Sequence, residues 1–591
     1  MSAVRVEDVT AALLSEPHHD GSDAYVLERP REVGGEAVVQ LRVPHAASVD
    51  KVALRYVCDG EPAFTQAERA GETLWRATFA VPSPTTRYRW LLAGGEIGYA
   101  WLNGNGLVRH DIPDADDFVL TTGDNGPEWH LESVVYEIFP DRFASSGLDV
   151  DEPAWANRRA WDELPQAKGV EQAYELFGGD LRGIEQRLDH IQSLGANSIY
   201  LTPFFAAGSV HRYDASSFDH VDPLLGGDEA LESLVRAAHT RGLRIIGDLT
   251  VNHVGIGHEW FETEPEFFYR DGSELGYEAW LGVPSLPKLN HGSPRLADAM
   301  RTVIQKWLRP PFDLDGWRID VANMAGRLGS TDLTHEVARA IRTAVVEAKP
   351  DAVLIAEHGH DFRPDLAGDG WHGAMNYSGF LRPVWWWLRD ASFARDPFRV
   401  DFPAPIFGGE ESVATMRAFR AGVPWQSTLH SWTLLDSHDT PRFRTVTRSR
   451  ERHIVGVGLQ MTTPGVPMIF AGDELGLEGE WGEDGRRTMP WDRPASWDDV
   501  LLEEYRKLIA LRRSEPVLAG GGIRYVHVSA DAIAYLRETR DDALLCLAAR
   551  APHDPIRVPF SSLETLYGKD VRDGVLPADG PSFHVWRLTN G

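Results

Sequence analysis

Cysteine is nearly absent from this chain of 591 residues, which contains only Cys58 and Cys546. Two thiols so far apart cannot form the disulfide framework of a small secreted domain, and they favour free thiols in a reducing compartment. The sequence also lacks an apolar run long enough to span a membrane and, near its start, the apolar core of a signal peptide. These absences predict a cytoplasmic protein with no part in the membrane.

Cationic residues are scarce as well, because 59 Lys and Arg face 88 Asp and Glu and give a net charge of −29. Nucleic acids and anionic membrane surfaces are bound through cationic side chains, so this balance argues against both as partners and fits a neutral substrate. Hydrophobic residues make up 43% of the chain and charged residues 25%, which is typical of a globular protein. A chain of this length is expected to form about two to four domains.

Residues 1–125 show the alternation of sheets with one buried face. Apolar side chains occupy every second position from Val39 to Val43, and similar short runs follow between Gly and Pro residues. Period-two alternation of this kind predicts an N-terminal β-sandwich. We expect its aromatic residues Tyr88, Trp90 and Trp101 to pack in the core.

Residues 126–515 alternate short apolar runs with amphipathic helical segments, which is the pattern of an α/β protein. Eight such strands that alternate with helices predict a closed parallel (β/α)8 TIM barrel. The stretch from about 254 to 310 is too long for a simple βα loop and predicts a small inserted domain. Alternation returns in residues 516–591 and predicts a C-terminal β domain. The predicted barrel strands are Val134–Ile138, Ser198–Thr202, Leu243–Ile246, Asp313–Ile319, Val353–Ala356, Gly373–Asn376, Trp432–Leu435 and Val466–Phe470.

The stretch Gly316 to Asn323 places an arginine two residues before an aspartate at the end of a strand. Alternation along a strand makes Arg318 and Asp320 point the same way. A neighbouring cation favours the ionised carboxylate, so we expect Asp320 to be charged at neutral pH, as a nucleophile on a sugar carbon must be. Taken alone, this stretch is equally compatible with a structural Arg–Asp pair.

Three further stretches have the same design, with an acid or a histidine just after a short apolar segment. They are Asp248 to His253, Leu354 to His358 and Leu434 to Asp439. In a (β/α)8 barrel the carboxyl ends of all strands meet at one face, where chemistry takes place. All four stretches, in this order, resemble the motifs of the α-amylase family of retaining glycoside hydrolases.

The resemblance implies a role for each matching residue. Asp320 matches the nucleophile, Glu357 the general acid/base and Asp439 the carboxylate that stabilises the transition state. The apolar approach to Glu357 is expected to raise its pKa. Arg318 matches the arginine that orients the nucleophile. The residues that the resemblance places in substrate binding are Arg318, His253, His438, Tyr213, Asn323 and His358.

One branch of the family fits best, the branch of neopullulanases, cyclomaltodextrinases, maltogenic amylases and maltodextrin glucosidases. Leu286 to Asn290 resembles a motif of that branch, whereas Glu357-His358 and Met375 to Tyr377 are closer to maltodextrin glucosidases. The resemblance implies hydrolysis of α-1,4-glucosidic bonds in short linear or cyclic maltooligosaccharides. Specialisation for mixed-linkage cyclic α-glucans, or neopullulanase activity with transglycosylation, stays open as an alternative. The resemblance also implies a homodimer that forms through the N-terminal domain.

No cofactor is expected, and the loop after Phe143 lacks the asparagine-rich pattern that binds calcium in some relatives. Asp149 and Asp151 offer oxygen ligands there, although a solvated acidic loop explains them as well. Two rival interpretations remain. His358-Gly359-His360 has the spacing of a metal-ligand pair and would suit a metal-dependent barrel hydrolase. An inactive sugar-binding scaffold is the other, and the presence of all three acids argues against it.

Overall fold

The computed structural model describes residues 13–45, 47–123, 125–270, 274–396, 403–560 and 562–589. Within these ranges, no helix combines the length and the hydropathy that a membrane crossing requires. Three groups of sheets follow one another along the chain. Antiparallel sheets lie on either side of a central parallel sheet, and the central sheet carries the residues of the candidate site.

The central sheet consists of eight parallel strands, so the predicted (β/α)8 barrel is confirmed. The strands lie side by side in the order β6-β5-β4-β3-β2-β1-β8-β7, and a parallel bridge between Met375 and Trp432 joins the two ends. The strands are β1 (Val135–Ile138), β2 (Ser198–Leu201), β3 (Arg244–Thr250), β4 (Gly316–Asp320), β5 (Val353–Ala356), β6 (Gly373–Ala374), β7 (Trp432–Leu434) and β8 (Val466–Phe470).

Strand β4 shows how the sequence sorts side chains between the inside and the outside of the barrel. All five of its residues are buried. Trp317 points outward, where its indole nitrogen donates to the carbonyl of Ile304 on a surrounding helix. Arg318 points inward and contacts Asp248 on β3, because neighbouring residues of a strand face opposite sides. The strand begins at Gly316 rather than at Asp313 as predicted, since Asp313 has a φ of 52° and forms a turn.

Helices surround the barrel and fill the connections between its strands. Gly227–Thr240 and Pro294–Leu308 show the predicted pattern, because each buries one apolar stripe and exposes the other face, whereas Arg450–Thr462 is buried almost throughout beneath the C-terminal sheet. The α-helices are Glu128–Leu131, Pro140–Phe143, Leu181–Gln186, Leu188–Leu194, Gly227–Thr240, Glu259–Thr263, Pro294–Leu308, Thr334–Ala348, Arg382–Leu388, Gly409–Arg420, Trp425–His430, Phe443–Thr447, Arg450–Thr462, Gly482–Gly485, Asp499–Ser514 and Pro516–Gly520.

The inserted segment after β3 is shorter than the predicted 254–310. Pro294–Leu308 is a regular helix that begins at the N-cap Ser293, whose side chain accepts from the backbone N–H of Leu296. This helix buries Trp307 and packs against Thr334–Ala348, as a barrel helix does. The insertion therefore ends before residue 294. Its described residues include one short helix and single-turn 3-10 segments, and a bridge between His253 and Lys288 joins it to the loop after β3.

The N-terminal part forms two antiparallel sheets with a common core. Tyr88 and Trp90 are completely buried there and Trp101 is 6% exposed, so the expected core role of these aromatic residues is confirmed. The first sheet contains Val26–Glu28, Glu36–Arg42, Leu74–Ala80 and Glu68–Arg69, and the second contains Glu61–Gln66, Lys51–Cys58, Thr85–Gly94, Gly98–Asn103, Gly106–Val108 and Phe118–Thr121.

The C-terminal part forms a single five-stranded antiparallel sheet. Its strands lie in the order Gly522–Val528, Ala532–Glu538, Ala543–Ala549, Ser582–Leu588 and Leu563–Tyr567. One face of this sheet packs on the helix Arg450–Thr462 of the barrel, where Phe583 lies against Gly458. The predicted N- and C-terminal β domains thus lie on either side of the barrel in the sequence.

Candidate active site

Arg318 lies at the centre of a group of acids at the carboxyl end of the barrel. Its side chain is completely buried. Nη1 is 3.0 Å from Asp248 Oδ2 on β3 and 2.8 Å from Asp320 Oδ1 at the end of β4. Nη2 is 3.2 Å from Glu357 Oε2, which directly follows β5. One guanidinium therefore fixes three carboxyl groups from three neighbouring strands.

Asp320 is buried more deeply than Glu357, whose side chain is 19% exposed. Asp320 is 5% exposed, and the backbone N–H of Val321 donates to Glu357 Oε2 at 2.7 Å. Burial and the adjacent charge of Glu357 raise the pKa of Asp320 well above its usual value, and Arg318 opposes them. The expectation that Asp320 is charged at neutral pH stays a prediction: Arg318 favours the ionised form, and burial and the second acid oppose it. The two carboxyl groups share one cation, which is the arrangement that an acid and a nucleophile acting on one bond require.

Asp439 is the third acid, in the loop after β7, and it has two cationic neighbours. Arg486 Nη2 is 3.0 Å from its Oδ1, and His438 Nε2 is 3.3 Å from its Oδ2. Burial disfavours the ionised form, but His438, Arg486 and more distant cations lower the pKa of Asp439 below its usual value. This carboxylate is consequently kept negative and ready to face a positive charge.

His438 and Tyr213 belong to a chain of hydrogen bonds beside these acids. The Tyr213 hydroxyl is 2.7 Å from His438 Nε2 and 3.0 Å from Asp248 Oδ2. The two rings stack at an angle of 12°. On its other side, His438 Nδ1 is hydrogen-bonded to Glu137, a fully buried residue of β1. Tyr213 therefore offers an aromatic wall whose orientation is fixed by Asp248 and His438.

His253 lies three residues beyond the end of β3, whose Thr250 pairs with Asp320. Its ring stacks on Trp280 of the inserted segment at a centroid distance of 5.1 Å. Burial lowers the pKa of His253 to about 3, so the ring is neutral. Among the described residues, its Nε2 atom has no hydrogen-bond partner. The histidine thus presents an unused polar atom, as a ligand contact requires.

Asn323 and His358 take part in a second, separate network. His358 Nε2 is 2.8 Å from Asp365 Oδ2, and Arg327 binds the same carboxylate. Arg327 also donates to the backbone carbonyl of Asn323 at 2.8 Å. His358 is 3% exposed, and its ring is held by Asp365 beside Glu357. A substrate contact of Asn323 or of His358 stays a prediction.

The proposed metal pair of His358 and His360 is not assembled. His358 is buried against Asp365, whereas His360 is exposed two residues later. Asp149 and Asp151 are likewise exposed in their loop. In the part of the chain that the structure describes, no three His, Cys, Asp or Glu side chains come together as metal ligands.

Three residues of the site escaped the sequence analysis as individuals. Glu137 is the one acid in an otherwise apolar strand, and this unusual position is the feature of the sequence that could have identified it. Arg486 lies in none of the motifs described above, and Lys288 lies inside the motif from Leu286 to Asn290. Lys288 is 3% exposed; its Nζ donates to the Asn252 side chain, next to His253, and to the Met324 carbonyl. Each of the three acts through a neighbour that is distant in sequence.

The arrangement can carry out a double displacement at a sugar carbon. Asp320 and Glu357 both contact Arg318, so one can attack the sugar carbon while the other exchanges a proton with the leaving group. Asp439 can stabilise the positive charge that develops on the sugar. Carboxylates, neutral histidine and an aromatic wall are groups that bind and cleave a neutral carbohydrate.

Comparison with known proteins agrees with this chemistry. Residues 137–507 match the family model for the alpha amylase catalytic domain. A cyclomaltodextrinase of Geobacillus thermopakistaniensis (strain MAS1) is 33% identical over 423 residues, which is 68% of this chain and 65% of that protein. The alignment thus spans about two thirds of that relative's length.

Two solved structures are similar over different shares of the chain. One, a cyclomaltodextrinase, has a TM-score of 0.70 and 25% identity and covers 97% of this chain and 98% of its own. The other is a cyclic α-maltosyl-(1→6)-maltose hydrolase from Arthrobacter globiformis in its ligand-free form. It has a TM-score of 0.63 and 30% identity and covers 74% of this chain and 96% of its own. Because the family model matches more than half of the residues, the chain belongs to the α-amylase family.

Proposed function

We propose that the protein is a retaining glycoside hydrolase that cleaves α-1,4-glucosidic bonds in short linear or cyclic maltooligosaccharides. The observation that carries the proposal is the contact of one buried cation, Arg318, with both Asp320 and Glu357. Retaining hydrolysis needs two carboxyl groups on opposite sides of one bond, close enough for one to bond covalently to the sugar.

The reaction then follows from the surroundings of each acid. Asp320 attacks the anomeric carbon while Glu357 gives its proton to the leaving oxygen. Glu357, now ionised, removes a proton from water, and that water displaces Asp320 with a second inversion. Asp439, held negative by Arg486 and His438, stabilises the oxocarbenium-like transition state in both steps. The anomeric configuration is therefore retained.

The first test is stereochemical. An NMR time course on maltotetraose should show the α-anomer of the product before mutarotation. Early appearance of the β-anomer would exclude the double displacement. Glu357→Gln, which lacks the proton donor, should release no detectable product over the same time, which shows that the anomer observed with the wild type comes from the enzyme.

Substrate class is the second part of the proposal. The similarity to a cyclomaltodextrinase favours short or cyclic α-1,4-glucans. A second candidate is a cyclic glucan of mixed linkage, because one structural neighbour is named a cyclic α-maltosyl-(1→6)-maltose hydrolase. Rates on maltotetraose, a cyclodextrin, pullulan, soluble starch and cyclic α-maltosyl-(1→6)-maltose would separate the two candidates and neopullulanase activity. Equal or faster turnover of starch would contradict a preference for small substrates.

Assembly and location complete the proposal. We propose a cytoplasmic homodimer that forms through the N-terminal β domain and needs no cofactor for hydrolysis. Phe64 and Tyr99 of that domain are exposed by 55% and 45% and are aromatic side chains that such an interface would cover. Light scattering should give twice the mass of the chain, and Phe64→Ser with Tyr99→Ser should shift it toward one chain. A wild-type monomer would contradict the dimer without affecting the chemistry, and activity that survives chelation would support the absence of a metal.

A further inference from the structure

Glu137 is a buried acid of the active site that none of the hydrolytic steps uses. It lies in β1 with no exposed surface. One carboxylate oxygen is hydrogen-bonded to His438 Nδ1, and the other, Oε2, has no hydrogen-bond partner among the described residues. Its contact with His438 joins residues that are 301 positions apart. A carboxylate buried at such cost is expected to act through the group that it binds.

The Tyr213 hydroxyl reveals which protons His438 carries. This hydroxyl has one proton, and it lies 2.7 Å from His438 Nε2 and 3.0 Å from Asp248 Oδ2. Asp248 also accepts hydrogen bonds from Tyr200 at 2.5 Å and from Arg318 at 3.0 Å. Burial raises the pKa of Asp248, but the guanidinium of Arg318 can only donate to this carboxyl group and favours its ionised form.

The simplest arrangement of protons therefore makes Tyr213 a donor to Asp248. The oxygen of Tyr213 then accepts a hydrogen bond from His438 Nε2. Because the carboxylate of Glu137 can only accept, His438 Nδ1 must donate as well. A neutral imidazole has one N–H and an imidazolium has two, so the contacts at both nitrogens require the charged ring.

We propose that Glu137 is a positioning residue that keeps His438 protonated on both ring nitrogens. The role in catalysis rests on the proposed hydrolase function, whereas the state of the ring does not. The negative charge of Glu137 compensates the positive charge of the His438 ring, so the two residues together add no net charge to the site. The charged ring places a positive charge 3.3 Å from Asp439 Oδ2, and this charge helps to keep that carboxylate ionised.

All charged and titratable groups around the ring are consistent with this assignment. Glu137 approaches from β1, Tyr213 from the loop after β2, and Asp439 follows His438 in the chain. Among the residues that the structure describes, Arg486 is the one cation in contact with His438, and its Nε donates to the backbone carbonyl of His438 at 2.7 Å instead of to the ring. The two carboxylates together outweigh this cation and the effect of burial, and they raise the pKa of His438.

Nitrogen NMR tests the protonation state without any need for activity. Protein labelled with ¹⁵N in its histidine rings, with His438→Gln to assign the signals, should show both nitrogens of His438 in the protonated range at pH 7. A signal of an unprotonated ring nitrogen from His438 would overturn the proposal. If the wild type proves to hydrolyse nothing, the proposed function fails but this measurement can still be made.

Glu137→Gln tests the consequence for catalysis. Its amide oxygen can still accept from Nδ1, but the charge that favours the imidazolium is lost. On an aryl α-maltoside, kcat/KM should fall by about tenfold or more at pH 7 and stay within about threefold of wild type at pH 5, where the ring regains its proton. A pH profile parallel to that of the wild type would contradict the proposal.

The chain provides a matched control in Glu474. This glutamate is also fully buried and hydrogen-bonded to a histidine, since its Oε1 is 2.8 Å from His190 Nε2. Glu474→Gln makes the same chemical change in a pair that does not contact the three acids. Its pH profile should keep the wild-type shape, which separates a specific effect on His438 from a general loss of a buried charge.

Discussion

Arg486 is held against Asp439, with Nη2 at 3.0 Å from Oδ1 and Nε at 2.7 Å from the backbone carbonyl of His438. The arginine therefore fixes both the carboxylate and the loop that carries it. Arg486→Gln should lower kcat by about 10- to 100-fold and raise KM much less, because Asp439 would lose the cation that holds it in the transition-state geometry. Initial rates on maltotetraose measure both constants.

The adjacent arginine is the control for this substitution. Arg487 binds Asp484 at 2.9 Å and makes no contact with Asp439. Arg487→Gln should leave kcat within about threefold of wild type. Equal losses from the two variants would show that the segment matters only for folding.

Asp320→Asn should reduce kcat by a factor of about a thousand or more, because no other group is placed to form the covalent bond. The fold should survive, since an amide can stay beside Arg318 and burial already disfavours the charge. Thermal melting and rates on a natural maltooligosaccharide should be measured together. Asp222→Asn is a suitable control, because Asp222 forms an equally buried pair with Arg212 at 2.7 Å outside the site. Turnover within about tenfold of wild type would refute Asp320 as the nucleophile.

Glu357→Gln should respond to the leaving group of the substrate. Hydrolysis of maltotetraose should fall by about a thousandfold, whereas an aryl glycoside with a good leaving group should lose about tenfold or less in the first step, because it needs little protonation. The later hydrolytic step then limits turnover, so a burst of the phenol is expected in stopped-flow absorbance. An equal loss on both substrates would mean that Glu357 is not the acid.

The sequence was sufficient to predict the barrel strands and to predict that three acids follow the ends of such strands, because both follow local rules. Alternation within β4 places Arg318 inside the barrel and Trp317 outside it. The carboxyl ends of the strands then bring residues together that lie far apart in the chain. The early turn at Asp313 was not visible, since its φ of 52° depends on the surrounding loop and not on a glycine.

The pairing of side chains was beyond the sequence for a different reason. His358 follows Glu357, and no pattern in the sequence predicts that its Nε2 is hydrogen-bonded to Asp365. Likewise, the sequence shows Glu137 only as a charged residue in an apolar strand, and its partner His438 is known only from the fold. The pKa of Asp320 depends on its burial and on the adjacent Glu357, and the spacing of residues in the sequence predicts neither.

Lys288 connects the inserted segment to two loops of the site, so its removal should cost stability. Lys288→Met keeps the apolar stem but leaves the Asn252 side chain and the Met324 carbonyl without their donor. The free energy of unfolding should fall by about 1–3 kcal/mol. Urea unfolding measures the change. Lys306→Met, which removes a partly exposed lysine at the surface, should change it by about 0.5 kcal/mol or less, and similar values for both variants would contradict the role of Lys288.

Acid should destabilise the fold through histidines that are buried in the neutral form. His453 is such a residue: it is completely buried, its Nε2 is 3.0 Å from the Tyr505 hydroxyl, and burial lowers its pKa from 6.5 to about 3. The unfolded chain binds a proton at about pH 6.5 and the folded chain does not, so the stabilisation is complete above pH 6.5 and is lost progressively as the pH falls below it. Between pH 6.5 and 5, His453 should account for a loss of about 2 kcal/mol in the free energy of unfolding.

His453→Gln removes this titration while retaining a polar partner for Tyr505. Urea unfolding at pH 6.5 and pH 5 should show a smaller acid-induced loss for His453→Gln than for the wild type. His45→Gln, in which the side chain is 71% exposed, should behave like the wild type because its environment changes little on folding. The histidines His19, His253 and His291, whose pKa values burial lowers to about 4, 3 and 4, should preserve part of the acid sensitivity in His453→Gln. An identical loss in the wild type and in His453→Gln would show that His453 is not among the groups whose protonation drives acid unfolding.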